Sequence, residues 1–407
     1  MTTSLQTKEI AAPSEAEVQR LLAPLLGWLL RERLHVTRTT FLFDQFVRRL
    51  VDVGLPIERA TLHMPQLHPQ LVARGLYWDR ESGGAMAIGR EHGIEQTDFY
   101  RNSPVRHVRE GGGPVRCYLK SPECPDRFPI MDDLRAQGYS DYTARPIPFS
   151  SGQINTVTFA AKRPEGFSEL DLAVMDAALP LFGAVLEIRH VHKTARVLLE
   201  TYLGPHTGDR VLRGVIKRGD TEPIHAVLWY CDLRGFTALS EALPQPAVIA
   251  LLNDYFDCMA KPVEARGGEI LKFIGDAMLA IFPCDPTPDE RKRAADNALA
   301  AAQEAVATLA ALNRERRQNG AGKLTCGIAL HIGEAMYGNI GGGRRMDFTV
   351  IGPAVNLVSR LEPLCARLNG PIVASAAFAA AASRRLRTLG YYSLKGIAEE
   401  QEAFTLP

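Results

Sequence analysis

Two carboxylates in the stretch Ile224–Pro283 stand where chemistry could be done. Asp232 ends the apolar run IHAVLWYC, where a strand breaks into the loop DLRGFT, and Asp276 falls between EILKFI and AMLAIF. The second segment reads as strand, turn and strand, with Gly275-Asp276 at the tip. Sheet neighbours of this kind can carry both acids to one edge, where like charges are costly unless a cation lies between them. The pattern flags a metal site. Gly235 lets backbone amides approach a ligand, and the helix that follows offers free N–H groups to phosphate. Lys272 shares strand parity with Ile270 and Ile274, which puts a charged head on an otherwise apolar face. Such a lysine either meets a ligand or snorkels to water. Farther along, Asn356 and Arg360 are four apart on one helical face, while Leu357, Leu361, Leu364 and Leu368 line another, so the polar pair points away from the core.

The elements that must position these groups can be read on either side of them. A helix is predicted from Gln245, with Pro246 in its first turn and Leu251, Leu252, Tyr255 and Met259 on one face, ending before Gly267-Gly268. Thr287, Pro288 and Glu290 read as cap, first position and capping-box acid of an Ala-rich helix reaching Gln318. LTCGIALHIGEAMYGNIG reads as strand, turn and strand. In the first half, residues 1–14 are polar, and two helix-like runs fill 15–53. Five strand-like pieces follow: ERATLHM, RGLYWDR, PVRCYL, RPIPFS and NTVTFAAK. Ser168 with Asp171 then signals a helix start. Helices bracketing strands make an α+β domain. His63, His68, His92 and His107 could ligate a metal or haem, although single core or surface histidines are the commoner arrangement.

Leu181, Val185, Ile188, His192, Ala195, Leu199 and Tyr202 alternate in steps of 4 and 3, as the seam of a two-stranded coiled coil does. A plain amphipathic helix packed on its own domain is the alternative. If the seam is real, His192 places an ionisable group inside it.

A chain of 407 residues with 46% hydrophobic and 23% charged content is ordinary globular protein, with room for two cores. A net charge of +1 gives no ground for wholesale nucleic-acid or membrane-surface binding. The apolar run at 21–30 is too short to span a bilayer, and a cytoplasmic protein is expected. Seven cysteines without a C-x-x-C pair are expected to be buried, reduced thiols.

Three ordered blocks, CDLRGFT, LKFIGDAMLAIF and TVIGPAVNLVSRLE, resemble the catalytic domain of the class III nucleotidyl cyclases, across Ile224–Leu406. The resemblance implies a ferredoxin-like βαββαβ core, an antiparallel sheet with helices on one face, that works as a homodimer. It implies two Mg2+ or Mn2+ ions per site, held by Asp232, Asp276 and the backbone carbonyl of Leu233. One ion would make the ribose 3′-hydroxyl of ATP a better nucleophile, and both would steady charge as pyrophosphate leaves. Asn356 and Arg360 of the opposite subunit would orient the ribose and neutralise the phosphorane oxygens. Phe236 and Thr237 lie in the matched CDLRGFT block and are expected at the substrate. Arg344 matches a triphosphate-contacting arginine, with Arg345 adjoining it. Lys395 matches a lysine near the β and γ phosphates, with Ile397 where a second lysine is often found. Lys272 matches the lysine that pairs with adenine N1, a place where a guanylyl cyclase would show glutamate. Its usual partner is aspartate; here Thr349 stands in that place, and its hydroxyl can accept from the adenine amino group. Threonine there resembles the subgroup that includes bicarbonate-responsive cyclases.

The order of elements over about 36–190, with SDYTARPIPFSSG, resembles a GAF-type sensor domain, which could hold an unknown small ligand. The expected layout is a helical extension at 1–35, the GAF-like domain at 36–180, a signalling helix and connector at 181–221, and the cyclase domain at 222–407. The 181–202 helix would share in dimer formation. An adenylate cyclase regulated by its first half is the leading expectation. The alternatives are a catalytically silent, nucleotide-binding signalling module and a guanylate cyclase.

Overall fold

The computed structural model describes residues 13–32, 38–67, 71–121, 124, 128–343 and 345–407. They divide into two compact units, Met1–Leu198 and Leu199–Pro407.

In the first unit, helices α1 (Glu15–Glu32) and α2 (Thr39–Asp52) precede strands β1 (Arg59–Pro65), β2 (Leu71–Asp79) and β3 (Gly84–Glu91). Short helices α3 (Asp98–Arg101) and α4 (Pro104–Arg109) lead to β4 (Val115–Tyr118), α5 (Ile130–Ala136), β5 (Asp141–Pro148) and β6 (Ile154–Ala161). Helix α6 (Glu169–Leu203) closes the series. The sheet has the order β3-β2-β1-β6-β5-β4, antiparallel throughout. Strand alternation divides β1 between two layers. Ala60, Leu62 and Met64 enter a core with Leu25 and Leu29 of α1, Phe43 and Phe46 of α2 and Phe182 of α6. Thr61 and His63 face the side occupied by α3, α4 and α5.

The start of α6 is fixed by a reciprocal capping box. The Asp171 amide donates to Ser168 Oγ at 3.1 Å, and the Ser168 amide donates back to Asp171 Oδ2 at 2.8 Å. Along the predicted seam of α6, Val185 is buried in its own unit, whereas Ile188, His192 and Tyr202 are exposed. Cys117 and Cys124 are joined as a disulfide, which corrects the expectation of reduced thiols for these two. Both belong to the small core beneath α5, and their Cα atoms are 5.1 Å apart, so the bridge needs no C-x-x-C spacing. Cys231, Cys258, Cys284, Cys326 and Cys365 are free thiols. Among the described residues, no helix is long and apolar enough to cross a membrane.

The second unit opens with α7 (Pro205–Leu212), then β7 (Thr221–Leu233), α8 (Phe236–Ala242), α9 (Gln245–Ala265), β8 (Glu269–Ile274) and β9 (Ala277–Pro283). It continues with α10 (Pro288–Gln318), β10 (Cys326–Gly342), β11 (Arg345–Ile351) and α11 (Pro353–Arg367). The remainder is β12 (Ile372–Ser375), α12 (Ala376–Ala381), β13 (Arg387–Tyr392) and β14 (Gln401–Thr405). The sheet order is β13-β14-β12-β10-β7-β9-β8, with β11 paired to β10. Its β10-β7-β9-β8 portion, with α9 and α10 as the connecting helices, has the βαββαβ order, and its three pairings are antiparallel.

Two expectations about this sheet are corrected. Helices cover both faces: Trp229 and Cys231 pack with α9 and α10, while Ala226 and Leu228 pack with Val358 and Leu361 of α11. Moreover, β10 is one long strand without a turn at Gly333, because β7 pairs with it from Cys326 to Gly338 and β11 continues the pairing. Thr287 occupies the N-cap of α10 but makes no side-chain capping bond.

Candidate active site

The centre of the second unit lies at the end of β7. The buried strand delivers Asp232 to the sheet edge, and Gly235 then adopts a left-handed φ of 72° at the cap of α8. Antiparallel pairing of β9 with β7 and β8 brings the hairpin turn at Gly275-Asp276 to the same edge, where the Asp276 carboxylate acts on that of Asp232. Partial burial and the Asp276 charge push the Asp232 carboxyl up to about 6, against the opposing pull of the Leu233 amide.

A third acid, Glu362 of α11, was not anticipated from the sequence as part of this cluster. It is almost fully buried, and desolvation together with Asp232 pushes its carboxyl up to about 7, with Arg234 acting in the other direction. Gly327 of β10 pairs with Asp232, and a methyl group at Gly327 would overlap the Glu362 carboxylate. The detectable signal was positional: Glu362 lies in the stripe formed by Val358, Leu361 and Cys365, which a charged side chain rarely enters. Tyr230 borders the group, and burial with the nearby acids raises its phenol to about 12.

The acids answer a test of fit to a divalent cation in part. Among the described residues, no cluster of three or more His, Cys, Asp or Glu side chains has metal-holding geometry. The cradle therefore supplies two carboxylates, and a bound cation would complete its coordination with backbone, water or substrate oxygens.

Lys272 occupies β8 beside a register shift between Ile270 and Lys272, so the strict parity expected with Ile270 is broken. Its ammonium is not left alone, because Asp347 of β11 approaches to 3.7 Å. Asp347 escaped the sequence reading, though strand alternation puts it on the same face as Thr349. Thr349 is buried, and among the described residues its hydroxyl has no hydrogen-bond partner, an orphaned polar atom close in sequence to the lysine's counter-ion.

Asn356 and Arg360 are exposed on α11, and among the described residues neither side chain has a hydrogen-bond or ion-pair partner. Asn356 lines a groove with His331, Leu357, Gly396 and Ile397, which borders the exposed turn carrying Lys395. Phe236 and Thr237 begin α8, and Leu233 has its side chain buried in the core. Arg344 lies outside the described residues. One chain thus gathers Asp232, Asp276 and Glu362 in one place and Lys272 with Asp347 in another, with Asn356 and Arg360 presented outward.

Upstream of the sheet, α7 is fastened by a buried network. Glu269, the first residue of β8, accepts from the Thr207 amide at 3.2 Å, the Thr207 hydroxyl at 3.0 Å and the Tyr337 hydroxyl at 3.2 Å. Arg210 lies over the rings of Tyr337 and Phe348 at 5.5 and 5.4 Å and pairs with Glu222.

Residues 221–406 match the family model for the adenylate and guanylate cyclase catalytic domain. An adenylate cyclase of Anabaena cylindrica is 37% identical over 153 residues, which are 37% of this chain and 29% of that protein. Adenylate cyclase 1 of Rhizobium meliloti is 31% identical over 169 residues, 41% of this chain and 25% of that protein. The crystal structure of the adenylyl cyclase CyaB from P. aeruginosa aligns with a TM-score of 0.41 at 30% identity, covering 46% of this chain and 94% of that one. The chain spans less than a third of the length of these two curated relatives.

Proposed function

Residues 221–406 are a catalytic domain of the class III adenylate and guanylate cyclase family, and we propose that they make this chain an adenylate cyclase, converting ATP to 3′,5′-cyclic AMP and pyrophosphate. The observation that carries the reading is the meeting of Asp232 and Asp276 at the strand ends, where burial and the Asp276 charge raise the Asp232 carboxyl. Two Mg2+ or Mn2+ ions bound there would supply Lewis acidity for the ribose 3′-hydroxyl and charge neutralisation at the phosphates. The residues assigned to hold them are Asp232, Asp276 and the Leu233 carbonyl, with the carboxyls ionised. The free amides of α8, with Phe236 and Thr237, receive the phosphates.

Lys272 donates to adenine N1, and the orphaned Thr349 hydroxyl accepts from the adenine amino group. Asp347 holds the lysine until substrate arrives. Asn356 and Arg360 serve the site of a second copy of the chain, where Asn356 orients the ribose and Arg360 neutralises the phosphorane; their outward placement without partners favours this arrangement. Lys395 and Arg344 are assigned to the triphosphate. The GAF-like first unit regulates the dimer, and the exposed stretch of α6 with Ile188, Val191 and Tyr202 takes part in pairing.

The test is cyclic AMP formation by the purified chain with ATP and Mn2+, compared with GTP. Production from ATP that disappears in Asp232→Ala supports the enzyme; none under either nucleotide leaves the silent signalling module, and a preference for GTP overturns the adenine assignment. Mixing Asp276→Ala with Arg360→Ala chains restores activity if the sites are shared between subunits. Inactivity of confirmed mixed dimers would reject the sharing.

A further inference from the structure

The first unit contains a cavity of about 120 Å3 between its sheet and helices α3, α4 and α5. Its size is that of a single ring, since a cavity of about 150 Å3 accommodates benzene. Much of its wall is carbon, from residues such as Val72, Phe99, Val105, Ile130 and Leu134. Into this apolar space come three guanidinium-bearing side chains, Arg59 of β1, Arg90 of β3 and Arg109 of α4.

Among the described residues none of the three forms an ion pair, although Asp79 of β2 stands opposite Arg59 in the strand register. Arg90 donates to the Tyr77 hydroxyl at 2.7 Å and Arg109 to the Tyr100 hydroxyl at 2.6 Å, so each is oriented by a neutral phenol. The Arg59 side chain has no hydrogen-bond or ion-pair partner among the described residues. The one acid in the wall, Glu95, is exposed and accepts from the Gly93 amide. The floor adds a polar chain, in which Thr61 Oγ1 lies 2.9 Å from His63 Nε2 and 2.6 Å from Thr158 Oγ1. Burial and the three arginines depress His63 to about 4, so at neutral pH it adds no further charge and keeps one nitrogen free to accept.

These facts exclude most occupants. A cation would meet the repulsion of three arginines, and a metal would find only one histidine among them. Inorganic phosphate would satisfy the arginines but leave the apolar wall against water. A nucleotide is too large. We propose that this cavity binds a small organic anion with a ring-sized apolar body and a single carboxylate head, the head held by Arg59, Arg90 and Arg109 and the body by the walls of α3, α4 and α5.

The experiment uses the full chain without nucleotide, so it stands whether or not the second unit makes cyclic AMP. Thermal shift and titration calorimetry compare benzoate and phenylacetate with benzamide and phenylacetamide, their neutral isosteres, and with acetate, which lacks the body. The expected result is that at least one aromatic carboxylate binds roughly tenfold or more tightly than its amide, as a charge-assisted contact predicts, and more tightly than acetate. Arg59→Gln and Arg90→Gln should each erase most of the carboxylate preference with the far-ultraviolet spectrum unchanged. Equal binding of acid and amide, binding of acetate as tight as of benzoate, no binding by either aromatic acid, or a preference that survives both substitutions would each overturn the proposal. The acid–amide comparison needs no variant, so a variant that fails to fold does not spoil the test.

Discussion

The acid edge of the second unit and the arginine cavity of the first are built on opposite signs of the same device. Asp232, Asp276 and Glu362 crowd negative charge, opposed by Arg234, and burial together with the neighbouring acids raises the Asp232 and Glu362 carboxyls. Arg59, Arg90 and Arg109 crowd positive charge around His63, and burial together with these arginines lowers its imidazole. A protein interior does not gather like charges for stability, so each cluster marks a place completed by something of opposite charge. The difference lies in the setting: the acids sit at an open strand edge beside a helix start, suited to an ion and a phosphate, whereas the arginines point into an apolar chamber suited to a carbon body.

The largest effect that could break this comparison is chemical. Asp276→Asn should lower cyclic AMP formation by more than roughly a thousandfold, as expected when a group acting as part of a unit is lost. Measured activity within tenfold of the parent would sever the acid edge from catalysis. Arg360→Ala should cost roughly 100- to 1,000-fold in kcat with a smaller change in KM, which steady-state kinetics would resolve. For Thr349→Val the expected change is smaller, a rise in KM for ATP of about tenfold from one lost hydroxyl contact.

Stability against pH sharpens the contrast, because the two clusters should respond with opposite signs. Glu362 is raised in the fold to about 7, so its stabilising protonation is present at low pH and lost as pH rises from the ordinary glutamate range through 7. Glu362→Gln should therefore gain on the parent in Tm as pH rises from 5 to 8, by a few degrees, on the scale of about 2–4 °C per kcal/mol for a domain of this size. His63 is depressed to about 4, so the fold loses stability as pH falls from the ordinary histidine value toward 4. His63→Gln should gain on the parent as pH falls through that range, by about 2–4 °C or less. Calorimetric scans of the metal-free chain would check both, and slopes of the same sign would refute the pairing of the two sites as opposites. Mg2+ should shrink the Glu362 effect and leave the His63 effect untouched.

How far each region could be read from sequence follows from its physics. Asp232 and Asp276 were legible because strand punctuation and hairpin chemistry are local signals, and the long helices α9, α10 and α11 announce themselves by periodicity. Glu362 and Asp347 were not, since their roles come from which strand or helix lies opposite. β3 was missed because most of its residues are exposed, leaving no alternation to see. The short helices roofing the cavity carry too few turns to show a period. The disulfide joins two cysteines whose spacing fits no local motif, and β10 hides its length behind glycines that here remain extended. The cavity arginines lie on three separate elements, so only the folded sheet discloses that they converge.

Glu269 begins the strand that bears Lys272, and it is buried against Thr207 and Tyr337. Displacing α7 would strip that carboxylate of both Thr207 donors and leave it the Tyr337 hydroxyl, at a cost of about 1–3 kcal/mol. A helix held in this way resists small drifts and yields only to a push large enough to free it altogether. The segment in front of the strand is therefore fastened like a latch, and Lys272, proposed above to meet the base, sits one short step behind the bolt.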